Sequence, residues 1–223
     1  TAAEAPLRFV SAASLFDGHD AAINIIRRIL QSHGAEVIHL GHNRSVADIV
    51  RAAIHEDADG IAVSSYQGGH NEYFRYMVEM LKSLGAEHIR IVVGGGGTIA
   101  PQEVEALEAC GIEKIYTPDD GLRLGLDGMI EDVFRRVRAW QRPAFRLAPL
   151  SVDDPQQIAR TVSVLERGDD AALAAEIRQA SAKTLNRPPV IGITGTGGGG
   201  QVPPTAWLVG PPPRLFSPRQ GAG

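Results

Sequence analysis

Asp17-Gly18-His19-Asp20-Ala21-Ala22 stands between an apolar run, Leu7 to Leu15, and the start of an amphipathic pattern at Ile23. Residues 7 to 15 are apolar nearly throughout, the pattern of a strand covered on both faces. Ile23, Ile26, Ile29 and Leu30 then recur at helical spacing, with Asn24, Arg27, Arg28 and Gln31 turned outward and Gly34 supplying a left-handed stop. The spacing predicts a helix over about Ala21 to His33. A strand that turns directly into a helix does so at the carboxyl edge of a parallel sheet, where α/β proteins bind their ligands. The turn therefore offers an imidazole and two carboxylates to whatever binds there.

The same grammar repeats along the chain. Glu36 to Leu40 reads as a second strand, and Ser45 with Asp48 three residues on can cap a second helix reaching about Glu56. Asp59-Gly60 turns into a third strand, Ile61 to Ser65, which ends in hydroxyls. A third helix over about Asn71 to Leu84 stops at Gly85. A fourth strand, Ile89 to Val93, runs into Gly94 to Gly97, and a fourth helix begins near Pro101, which is tolerated in a first turn. Lys114 to Thr117 makes a short fifth strand and Leu122 to about Trp140 a last helix. Three joints, Ser32-His33-Gly34-Ala35-Glu36, Ser83-Leu84-Gly85-Ala86-Glu87 and Ala109-Cys110-Gly111-Ile112-Glu113, share one helix–glycine–strand form. Five such units with short right-handed connections predict an α/β fold, a doubly wound, flavodoxin-like (Rossmann-like) five-stranded parallel sheet in the order 2-1-3-4-5. In that order His19, Ser64 to Tyr66 and the glycine run all emerge on one edge.

An imidazole ligates a metal through one nitrogen while the other donates to a carboxylate, which fixes the tautomer and raises ligand basicity. Asp17, two residues before His19, is placed to be that carboxylate. Asp17-x-His19, with Ser64-Ser65-Tyr66 and Gly94 to Gly97, resembles the Asp-x-His-x-x-Gly, Ser-x-Leu and Gly-Gly signature of the cobalamin-binding domains of B12-dependent mutases and methyltransferases. The wider wording resembles the fused isobutyryl-CoA mutase family in particular. It runs from Phe9 through Asp17 and His39-Leu40-Gly41-His42-Asn43-Arg44-Ser45 to Tyr116-Thr117-Pro118-Asp119-Asp120-Gly121. In that family a cobalamin domain, a GTPase chaperone and a catalytic barrel share one chain. The likeness covers about residues 7 to 200. Ala22 stands where the commoner motif has glycine, which the fused mutases share, and Tyr66 stands where leucine is common.

The resemblance implies adenosylcobalamin as cofactor, bound base-off with His19 as lower axial ligand of cobalt in place of the cofactor's own dimethylbenzimidazole. The displaced nucleotide tail then needs a slot. Ser64 and Ser65 can hydrogen-bond the tail, while Gly95 and Gly96, a match ambiguous by one position, let a flat base approach the backbone. Thr117 faces the same groove, and Gly18, Asp20, Tyr66 and Gly68 complete the expected contacts. The resemblance further implies a mutase or isomerase module that binds cofactor without turning over by itself. Its partners would be GTPase and substrate-binding mutase domains in a longer parent.

Composition narrows the alternatives. The 223 residues are 43% hydrophobic, enough for a packed core, and the net charge of −4 comes with no basic stripe for nucleic acid. No apolar run approaches the roughly 18 residues of a membrane span. The single cysteine, Cys110, cannot form an internal disulfide and suits a reducing, cytoplasmic setting. Thr1 in place of an initiator methionine leads us to expect a processed chain or a piece of a longer one. We expect a cobalamin domain over 1–145, a helical linker over 146–189, a truncated phosphate-loop start over 190–201 and a disordered Pro/Gly-rich tail over 202–223. In the glycine loop Gly195 and Gly200 match a P-loop, but Gln201 and Val202 replace its lysine and hydroxyl, so GTP and magnesium are not expected. The tail reads as a departure from the natural frame at about Gly199 to Gln201.

The other histidines read as structural. His39-x-x-His42 lacks the third ligand that zinc needs. His33, His55 and His88 fall at helix ends or strand starts, and His70 could border the corrin. Two other function classes share the winding. A phospho-receiver wants an aspartate at the end of strand three, where Ser64-Ser65 stands. A flavin-binding flavodoxin-like module wants a hydroxyl-rich cradle after strand one.

Overall fold

The structure, a computed structural model, describes residues 5–18, 20–95, 97–140, 142–151, 153–168 and 170–183, and only the backbone of Asp20. The expected glycine loop and tail, 190–223, the end of the linker from 184, and His19 and Gly96 lie outside the described residues. Packing places residues up to Arg178 in one compact unit; of the second, from Gln179, only the end of one helix is described.

Five parallel strands carry the fold: β1 (Arg8–Ser14), β2 (Glu36–Arg44), β3 (Gly60–Ser64), β4 (Arg90–Gly94) and β5 (Lys114–Ile115), in the order β2-β1-β3-β4-β5. Between and after them come α1 (Asp20–Ser32), α2 (Val46–His55), α3 (His70–Ser83), α4 (Pro101–Cys110), α5 (Pro118–Ala139), α6 (Pro155–Arg167) and α7 (Ala171–Ala182). The winding follows from the sequence. Strands buried on both faces, such as β3 with every residue buried, need helices above and below. One face of the sheet packs Val10, Ile61, Val63 and Ile91 against Ile49, Phe74, Met77 and Leu107 of α2, α3 and α4. The other packs Phe9, Ala62 and Val92 against Leu30 of α1 and Ile130, Val133 and Val137 of α5.

Three elements differ from the sequence reading. Strand β2 continues four residues past Leu40, because it is the outer strand and its pairing with β1 accommodates irregularities after Ser11 and Ala12. Helix α5 begins at Pro118: the Thr117 hydroxyl accepts from the Asp120 N–H at 3.3 Å and the Asp120 carboxylate accepts the Thr117 N–H at 3.1 Å, a reciprocal cap. The helix is broken at Gly125, whose φ of 67° and ψ of 175° are not helical. The linker holds two helices, with Gly168 in the left-handed conformation ending α6.

The segment just after α5 is bound to the amino edge of the sheet by charge. The Arg142 guanidinium donates to Asp59 Oδ1 at 2.8 Å, to Asp57 Oδ2 at 2.8 Å and to the Asp57 carbonyl at 2.7 Å. Asp59 also accepts the Arg8 N–H at 2.7 Å, which ties these carboxylates to the start of β1. No helix among the described residues is long and apolar enough to cross a membrane.

Candidate functional site

The carboxyl edge of the sheet is built by the turn after β1, the Ser65–Gly69 loop after β3, the glycine run after β4 and the start of α5. Asp17 is fully buried in the first of these, and its Oδ2 accepts the Tyr66 N–H at 2.8 Å, so the turn after β1 is tied to the loop after β3. Neighbouring β1 and β3 make this contact possible. The preceding residue, Phe16, is 77% exposed and has a positive φ of 65°. Its N–H donates to Asn43 Oδ1 at 2.9 Å, and Asn43, itself at a φ of 55°, donates its N–H to the Asp17 carbonyl at 3.3 Å. A non-glycine residue at positive φ is uncommon and concentrates at functional sites. Two of them hold the backbone that leads into His19.

Beside this turn a slot of about 430 Å3 opens between the sheet edge, α1 and α5. Its walls are apolar: Ile26 from α1, Val92 from β4, and Leu126, Met129 and Val133 from α5 are among them. Ser64, Tyr66, Gly95 and Thr117 also line it. Ser64 is the informative one, because its Oγ is buried without a hydrogen-bond partner among the described residues. An unpaired buried hydroxyl costs roughly 1–3 kcal/mol, so such a group asks for a ligand. A flat, largely apolar group carrying one hydrogen-bonding atom fits this slot, and the benzimidazole base that ends a cobalamin's nucleotide tail is a group of that kind.

The remaining candidates divide. Ser65 does not line the slot; its Oγ accepts from the Ser14 hydroxyl at 3.0 Å, so its side chain holds β1 to the loop after β3. Thr117 reaches the slot, but its hydroxyl is engaged in capping α5. Gly18 and Gly68 face open space. Gly95 is at a φ of 106°, and a Cβ there would overlap the Ser65 carbonyl oxygen, so the backbone of the glycine loop passes against that of Ser65. His19, Asp20 and Gly96 contribute no described side chain. His39 is turned to Ser11, with Nδ1 2.9 Å from its hydroxyl oxygen. His70 does not line the slot either; its ring is directed to Glu103.

Sequence reasoning missed Ser14, Phe16, Asn43 and the apolar wall from α5. A hydroxyl at the end of β1 opposite the Ser64-Ser65 pair was a readable signal for Ser14. The α5 residues carried only a core-like spacing. Near the slot mouth Asp120 is partly buried, which alone would raise its carboxyl, but the Thr117 N–H, Arg123 and Lys114 together hold it below the ordinary carboxylate range. The Tyr116 hydroxyl is pushed well above the phenol range by burial and by Asp132, to which it donates at 2.9 Å. No group of three or more His, Cys, Asp or Glu side chains able to hold a metal occurs among the described residues.

Comparison with known proteins gives the following. The family described as B12 binding domain matches residues 7–118. The chain is 52% identical over 202 residues to the fused isobutyryl-CoA mutase of Cupriavidus metallidurans, covering 87% of this chain and 18% of that protein. It is 34% identical to the pivalyl-CoA mutase small subunit of Xanthobacter autotrophicus, over 51% of this chain and 74% of that subunit. Among solved structures it is similar to a cobalamin-binding protein from Desulfitobacterium hafniense DCB-2, with a TM-score of 0.49, 21% identity and 58% of each chain covered. The chain thus spans about a fifth of the length of the fused relatives it matches.

Proposed function

Since the chain belongs to the B12-binding domain family, we propose that it takes up cobalamin with the nucleotide tail drawn off the metal and laid in the slot between the sheet edge and α5. His19 would hold the cobalt in the tail's place. The observation that carries this reading is the Ser64 hydroxyl, buried and unpartnered among the described residues, on a residue that lines a largely apolar slot of about 430 Å3 at the carboxyl edge.

The residues have separable roles. His19 ligates, and Asp17 is the carboxylate we assign to its other ring nitrogen, the pairing that fixes the tautomer of metal-bound imidazoles. Asp17 also holds the loop after β3 through the Tyr66 N–H. Ser64 donates to the base of the tail; Ile26, Val92, Met129 and Val133 exclude water around it; Gly95 lets the loop run against Ser65. When bound, adenosylcobalamin supplies a cobalt–carbon bond whose homolytic cleavage starts rearrangement of an acyl-CoA carbon skeleton. We assign to this part of the protein binding and orientation of the cofactor. Rearrangement of an isobutyryl-CoA or methylmalonyl-CoA type substrate belongs to a mutase barrel, and assembly to a GTPase domain, of a longer cytoplasmic parent.

Ultraviolet–visible titration of hydroxocobalamin into wild type, His19→Ala and Ser64→Ala, with electron paramagnetic resonance of the cob(II)alamin complex, tests the reading. Wild type should give a base-off spectrum and nitrogen superhyperfine splitting from protein imidazole, and His19→Ala should lose the splitting. Ser64→Ala should bind about tenfold more weakly while folding at least as stably, since it loses a bond to the ligand and no bond within the protein. Folded wild type that binds no cobalamin would end the reading.

A further inference from the structure

His70 is 8% exposed, at the first position of α3, and does not touch the slot. Its Nε2 lies 3.1 Å from Glu103 Oε2 and its Nδ1 lies 3.3 Å from the Gln67 carbonyl oxygen. Both neighbours are acceptors, so a ring N–H can donate to either of them. Glu103, in the first turn of α4, is saturated from three sides. Its Oε2 also accepts the Ala100 N–H at 2.8 Å, and its Oε1 accepts from Asn71 Nδ2 at 2.7 Å. These bonds, the Ala100 N–H foremost and then His70 and Asn71, draw the Glu103 carboxyl below its ordinary range, so it is held as the carboxylate.

The place of this cluster in the chain gives it a task. His70 directly follows the Ser65–Gly69 loop and Glu103 follows the Gly94–Ala100 loop, and these two loops supply Tyr66 and Gly95 to the slot. Above the cluster the loops meet through the Ser65 N–H donating to the Gly94 carbonyl at 3.0 Å and Thr98 Oγ1 donating to the Ser65 carbonyl at 3.3 Å. The first turns of α3 and α4 are joined by His70, Asn71 and Glu103, a polar tie at the roots of both loops beside the buried cluster that holds Phe74, Met77 and Leu107.

We propose that the His70–Glu103 pair is a bolt that sets the separation of the two loops, and that His70 is thereby a positioning residue for the nucleotide tail. The inference rests on the cobalamin reading above and goes beyond it by assigning control of the slot's mouth to residues that never touch the ligand. It predicts selectivity between ligands: a corrinoid without a tail has no use for the slot, and so none for the bolt.

The test compares hydroxocobalamin with cobinamide, which has the same macrocycle and no nucleotide tail, titrated into the full chain by absorbance. Wild type should prefer cobalamin. In His70→Phe that preference should fall about tenfold, the scale of a lost hydrogen bond to a charged group, with cobinamide affinity unchanged. Glu103→Gln, which keeps the shape of the side chain, should lower the preference in the same direction, and the double variant should add little, as for two halves of one contact. Equal weakening toward both ligands, in step with a lower melting temperature, would overturn the inference and leave a structural contact only. A preference unchanged in Glu103→Gln and in His70→Phe would also overturn it. Wild type that binds neither corrinoid would remove the cobalamin reading itself, and the inference with it.

Discussion

Replacing Gly95 by alanine should destabilise the protein even without ligand, and the cost can be built from two separate sources. The residue sits at a φ of 106°, where an L side chain is strained; single residues held in such regions cost on the order of 1–3 kcal/mol. The added Cβ would also overlap the Ser65 carbonyl oxygen and lie 2.8 Å from the Ser65 carbonyl carbon and 3.1 Å from its nitrogen. Ser65 cannot retreat, because its N–H is bonded to the Gly94 carbonyl at 3.0 Å and its hydroxyl is bonded to Ser14 at 3.0 Å. Overpacking against fixed atoms costs about 1–3 kcal/mol more. The sum is about 2–6 kcal/mol, a large part of the roughly 5–15 kcal/mol that holds a domain together. With a urea slope of about 2 kcal/mol per molar, the midpoint should fall by about 1–3 M. At Gly94 and Gly97 an added methyl group would meet nothing within 4 Å, and neither residue has a positive φ, so Gly94→Ala and Gly97→Ala should stay within about 0.5 kcal/mol of wild type. A Gly95→Ala midpoint inside that same band, or an equal loss at Gly94, would contradict this account of the loop.

Two further outcomes follow from the amino edge of the sheet. Arg142→Ala leaves the buried Asp57 and Asp59 carboxylates without their forked partner, with Arg167 3.6 Å from Asp59 and the charge of Arg160 near Asp57. Removing one partner of a buried pair costs about 3–5 kcal/mol; Arg142→Lys should recover only part of this in urea unfolding, since an ammonium cannot fork to both carboxylates, and full recovery would count against the forked geometry. His88 has a buried Nδ1 without a partner among the described residues. Burial first, and then the charges of Arg142 and Arg160, hold its ring below its ordinary 6.5 against the opposing pull of Asp57 and Asp59. The unfolded chain therefore takes up this proton before the native one does, so its contribution is complete above about pH 6.5 and is lost as pH falls below it, by at most about 1.4 kcal/mol per unit. Urea midpoints measured from pH 7.5 to 5 should show this slope in wild type and a shallower one in His88→Gln; an identical slope in both would remove His88 as its source.

The strand order was legible because three of the four helix-to-strand joints announced themselves. Gly34, Gly85 and Gly111 close helices just before apolar runs too short for anything but strands, and such units wind in one sense. What failed was local. The Gly41-His42-Asn43-Arg44 stretch reads as a loop, and only its position on the outer strand lets it pair with β1 through irregularities. The Thr117–Asp120 cap was visible as a spacing, but two following glycines masked the helix it starts. At the site, Ser64 and Gly95 could be picked out by residue type. That Ser64 is the orphan and Ser65 the strut could not, because alternate residues of a strand point to opposite sides and only the packing of Ser14 fixes which is which.

Arg142 lies beyond the last helix of the wound sheet, yet the carboxylates it neutralises sit beneath the sheet's amino edge. A recombination event that joined this sheet to a new neighbour just after Trp140 would carry both acids across and leave their counter-charge behind. The recipient would then need either a new cation at that edge or substitutions at Asp57 and Asp59. The stretch that has to be inherited together is accordingly longer than the stretch that forms the sheet, and its far end lies well outside the slot at the carboxyl edge.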